Sequence, residues 1–97
     1  MWTIILEDEN QNSIKIVSNE FSIKNLISNN FAANYKLIKY LDQYGDTKFN
    51  NLQMHDLIED FKILQTFEPE NDLIKEIINL ATICLKNNHL YLCFYGD

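Results

Sequence analysis

Two tripeptides of one kind, Tyr44-Gly45-Asp46 and Tyr95-Gly96-Asp97, hold both glycines of this chain and set a ring and a carboxylate around each of them. Brought together, they make an acidic cluster of Asp42, Asp46 and Asp97 with Tyr44 and Tyr95 beside it. Carboxylates flanked by tyrosines suit the lysines and arginines of a basic protein, with the rings as anchors that exclude water. The same oxygens are hard donors for a cation, but the chain lacks the regular ligand spacing of a calcium loop, so no metal is expected. A second acidic group, Asp56, Glu59 and Asp60, lies with Ile63 on what reads as the outward face of a helix. The two glycines also have an ordinary reading: each follows an apolar-rich segment, where a positive φ often turns the chain out of a strand.

Catalytic chemistry finds fewer residues. His55 and His89 are the two histidines, and neither is near a nucleophile motif in sequence. A glycine-rich phosphate loop, a nucleophile elbow and zinc-ligand spacing are all missing, so neither a catalytic residue nor a cofactor is expected. An enzyme using the Tyr-Gly-Asp carboxylates would need a deep pocket joining Asp46 to Asp97. Cys84 and Cys93 fall in a helical and a strand pattern, and read as small buried hydrophobes rather than a disulfide or half a metal site.

These residues must be positioned by a chain of 97 residues, enough for one domain (1–97) with one core, which 46% hydrophobic content supplies. No apolar run approaches bilayer-spanning length and no secretory leader pattern opens the chain, so a cytoplasmic protein is expected. The net charge is −6, and every basic residue is lysine. An acidic chain without arginine is unsuited to nucleic acid or to an anionic membrane surface, and suited to a basic protein whose approach it steers.

Alternation over 2–7 and 13–17 predicts a β-hairpin around the polar run 7–12. A short helix is expected over about 20–28, whereas 35–41 fits a helical turn and a strand equally well. Asn50 with Gln53 reads as a capping box, and Phe49 with Met54 as a hydrophobic staple, at the start of a helix reaching about Gln65. Its apolar stripe is Met54, Leu57, Ile58, Phe61 and Leu64, with Asp56, Glu59, Asp60, Leu52 and Ile63 opposite. A second helix over 72–87 carries a broader stripe through Ile74, Ile77, Ala81 and Cys84. The chain finishes as a strand that is semi-apolar on both faces, hence interior to a sheet. The expected architecture is two-layer α+β, with the N-terminal hairpin and C-terminal strand in one sheet packed against two long helices.

The run "YGDTKFNNLQ" and the ending "YLCFYGD" resemble a group of small bacterial proteins patterned Tyr-Gly-Asp-Thr-x-Phe-Asn-x-x-Gln and closing near Tyr-Leu-x-Phe-x-Gly-Asp. The match covers 44–53 and 91–97. The group is similar to immunity proteins encoded beside polymorphic or contact-dependent toxins. The resemblance implies a protein that binds and neutralises a cognate toxin domain, and the acidic charge suits a basic, nuclease-like one. The partner-binding residues are then Asp42, Tyr44, Asp46, Tyr95 and Asp97, with Asp56, Glu59, Asp60 and Ile63 as a second surface. The alternative is a small self-associating adaptor or structural protein, a homodimer, and behind it a small enzyme.

Overall fold

Trp2, Ile4 and Leu6 alternate with Thr3, Ile5 and Glu7 to form β1 (Trp2–Asp8), which pairs antiparallel with β2 (Ser13–Ile16) as the sequence pattern predicts. The computed structural model describes residues 2–17, 35–42 and 44–96. The helix expected over 20–28 lies outside those residues, as does Asp97. Asp8 organises the hairpin turn. Its Oδ1 accepts from the N–H groups of Asn10 and Asn12, both at 2.9 Å, while Gln11 takes a φ of 66°.

Segment 46–50, for which the sequence predicts only the staple at Phe49 and the cap at Asn50, is a strand, β3 (Asp46–Asn50), and the C-terminal strand is β4 (Leu90–Gly96). The sheet order is β2-β1-β4-β3, antiparallel throughout, so β4 is interior as expected. Asn50 then caps the next element. Its side chain accepts from the Gln53 N–H at 3.2 Å, and Gln53 Oε1 accepts from the Asn50 N–H at 2.9 Å, which is the predicted capping box. Such a cap stabilises the start by about 1 kcal/mol. A 3-10 turn (Asn51–Gln53) leads into α1 (Met54–Phe67). Glu68 ends α1, Asn71 caps α2 (Asp72–Leu85) by accepting from the Leu73 N–H, and Pro69 sits in the turn between them, where its missing N–H costs nothing.

The fold is α+β, with both helices on one face of the sheet. Trp2, Ile4, Leu6, Phe49, Leu92 and Phe94 from that face pack with Leu57, Phe61, Ile74, Ile77 and Ala81 from the helices. Phe94 stacks on Phe61 at 6.0 Å and meets Phe49 edge-on at 5.8 Å, which joins β4, β3 and α1 in one aromatic contact. Burying each such ring contributes about 1.5–3 kcal/mol. The ambiguous 35–41 segment holds a 3-10 turn (Ile38–Tyr40), with Tyr35, Ile38 and Leu41 in the core.

Candidate functional site

Antiparallel pairing answers why both glycines sit in one tripeptide: the Gly96 N–H donates to the Gly45 carbonyl at 2.8 Å, and the next pair in register is Asp46 with Tyr95. Gly45 and Gly96 thus stand at the same level of neighbouring chain segments. Neither glycine has a positive φ, so the conformational reading of them is corrected. At Gly45 the cause is crowding, since a Cβ there would stand 2.8 Å from Asp42 Oδ2. The exposed Asp42 side chain folds back over the turn, where its Oδ1 accepts from the Tyr44 N–H at 2.9 Å, and the Asp42 carbonyl accepts from the Trp2 indole N–H, also at 2.9 Å. Tyr44 is left 79% exposed.

Beyond that turn the strands present a face with no described helix over it. Alternation puts Thr3, Ile5 and Glu7 of β1, Tyr91, Cys93 and Tyr95 of β4, and Asp46, Lys48 and Asn50 of β3 on the side opposite the core. Ile16 stands beside Ile5 at the β2 edge, exposed like Ile14. Glu7 is only 5% exposed despite this placement. Its Oε2 accepts a short hydrogen bond from the Tyr95 hydroxyl, and its Oε1 is 3.4 Å from Lys48 Nζ. Desolvation, reinforced by that bond to Glu7, raises the Tyr95 hydroxyl well above its ordinary range. Burial, aided by the Glu7 charge, pushes the Cys93 thiol up to about 11, which keeps it protonated and a poor nucleophile. Cys84, free and buried like Cys93, is likewise pushed up to about 11 by burial.

The second surface is altered more. Asp60, expected on the outward face of α1, is 1% exposed: it receives the N–H groups of Lys36, Leu37 and Ile38 at 3.0, 2.7 and 3.1 Å. It cannot meet a partner there. Asp56 and Glu59 are exposed, but the Lys36 ammonium lies 3.3 Å from each and offsets one of their two charges. Glu59 first and Asp56 second raise the Lys36 ammonium above its ordinary value. Ile63 is exposed in a shallow groove along α1 with His55, Ile58, Lys62 and Thr66.

Sequence reading missed Glu7 and Lys48. The available signal was a charged residue in phase with Thr3 and Ile5 on a strand whose sheet face was already assigned. Asp46 and Tyr95 are brought together, while Asp56, Glu59 and Ile63 stand on α1, which packs against the other face of the sheet. Among the described residues no group of three or more His, Cys, Asp or Glu side chains converges as a metal site, and no helix is long and apolar enough to cross a membrane. No family model, curated protein or solved structure matches the chain.

Proposed function

We propose that the chain is a protein-binding module of immunity type, which neutralises a basic, nuclease-like toxin domain by docking the open sheet face over its active surface. The observation that carries the reading is the Asp46–Tyr95 cross-strand pair on that face, beside the exposed Tyr44. Asp46 has no ion-pair partner among the described residues, and its charge would attract an incoming lysine or arginine. Tyrosines supply contact area at low entropy cost, and the acidic surface raises the encounter rate. Toxin inhibition then needs no chemistry, only coverage of the surface the toxin uses on nucleic acid. The setting is the cytoplasm of the cell that makes both proteins.

The test is co-purification of the tagged chain from its native host, or with the products of neighbouring reading frames, followed by mass spectrometry. Recovery of one basic protein whose toxicity the chain suppresses supports the reading. Recovery of the chain with itself alone, at a mass of two or more copies, moves the weight to self-association. The exposed Ile14 and Ile16 favour that second reading. Against it, β2 has four residues, a register irregularity in its pairing and a lysine at its centre, all features that blunt an edge.

A further inference from the structure

We propose that Glu7 is the positioning residue of the binding face: one carboxylate oxygen fixes the Tyr95 hydroxyl and the other holds the Lys48 ammonium before a basic partner arrives. This rests on the protein-binding reading and goes beyond it, because Glu7 acts without touching the partner. Among the described residues of β1, β3 and β4, Lys48 is the one basic side chain on the open face. Left free, its cation would stand close to Asp46, two residues away on the same face, and repel a basic surface. Paired with Glu7, the Lys48 ammonium is held 3.4 Å from a carboxylate that balances its charge, although its side chain stays 40% exposed, so Asp46 carries the uncompensated charge among these three groups. The Tyr95 ring, fixed by its hydroxyl, loses less rotamer freedom on binding than a loose ring would. Glu7 reaches both groups from β1, across β4, so one buried carboxylate ties together side chains of three strands.

The experiment is NMR of the free protein and of its titration with an oligolysine peptide. Wild type is expected to show slowly exchanging Tyr95 hydroxyl and Lys48 ammonium protons, with peptide-induced shifts centred on Asp46 and Tyr95. In Glu7→Gln both slow signals are lost together, and peptide affinity falls at least about threefold as the freed cation repels the probe. Lys48→Met added to Glu7→Gln restores most of that affinity, which a purely structural role for Glu7 does not predict. Unchanged Tyr95 and Lys48 signals in Glu7→Gln overturn the proposal, as does an affinity loss that Lys48→Met leaves in place. If the peptide leaves wild-type Asp46 and Tyr95 unshifted while Glu7→Gln still loses both signals, the docking reading fails and the network is structural only. Should Glu7→Gln not fold, Tyr95→Phe removes the hydroxyl alone: about twofold weaker peptide binding is expected, and unchanged affinity sinks the proposal.

Discussion

Asp60 and Glu7 are both buried carboxylates, yet Asp60 is met by three backbone N–H groups under the helices and Glu7 by two side chains on the open face of the sheet. Backbone donors belong to the chain path, so Asp60 ties the 36–38 turn to α1 whatever side chains that turn carries. The partners of Glu7 are replaceable one at a time. Its network is therefore an adjustable property of a surface, whereas that of Asp60 is architecture.

Removing Asp60 is expected to be the most damaging change. Asp60→Ala leaves three N–H groups without an acceptor and costs about 3 kcal/mol or more in chemical denaturation, with part recovered in Asp60→Asn, which keeps one acceptor oxygen. Glu7→Gln gives Tyr95 only a weaker, neutral acceptor and removes the Lys48 ion pair, yet strands no backbone group, so about 1–2 kcal/mol is expected in the same assay. Equal losses at the two sites would erase the distinction between them. The buried thiols sharpen it further. Cys84 on the buried side of α2 and Cys93 on the sheet face opposite the helices are both raised to about 11 from an ordinary 9.0, so each favours the fold while protonated. That contribution is complete below pH 9 and is lost as pH rises through about 11, and a stability profile measured across this window should fall. Cys93→Ala should remove the part of the fall that comes from the open face. The smallest effect is expected where β3 leads into the helices: Asn50→Ala removes the cap of the 3-10 turn and costs about 1 kcal/mol.

The helices were legible because period 3.6 repeats over fourteen residues, and the buried positions Met54, Leu57, Phe61 and Leu64 match the stripe read from sequence. The hairpin and the interior strand were legible for the same reason at period 2. β3 was not: in Asp46-Thr47-Lys48-Phe49-Asn50 only Phe49 is buried, and the strand exists because β4 offers it a register. Asp60 was misplaced although its spacing held the answer. It lies three residues after Leu57 and four before Leu64, within the stripe, and its charge alone suggested the outside. Glu7 was read as the start of a polar turn, because nothing local to β1 reveals that Tyr95 and Lys48 will stand over it. The repeat of Tyr-Gly-Asp was visible from the start. That the two glycines meet through a backbone hydrogen bond is a fact of strand pairing that no local rule supplies.

The comparison between the open sheet face and the α1 surface yields the most direct test of the binding account: toxicity suppression by Asp46→Lys against Glu59→Lys, each co-expressed with the recovered toxin partner. Asp46 is the register partner of Tyr95 and has no ion-pair partner among the described residues, whereas Glu59 lies 3.3 Å from the Lys36 ammonium. Loss of protection in Asp46→Lys, with protection kept in Glu59→Lys, is the predicted result. Full protection by Asp46→Lys and none by Glu59→Lys would move the contact to α1 and contradict the account.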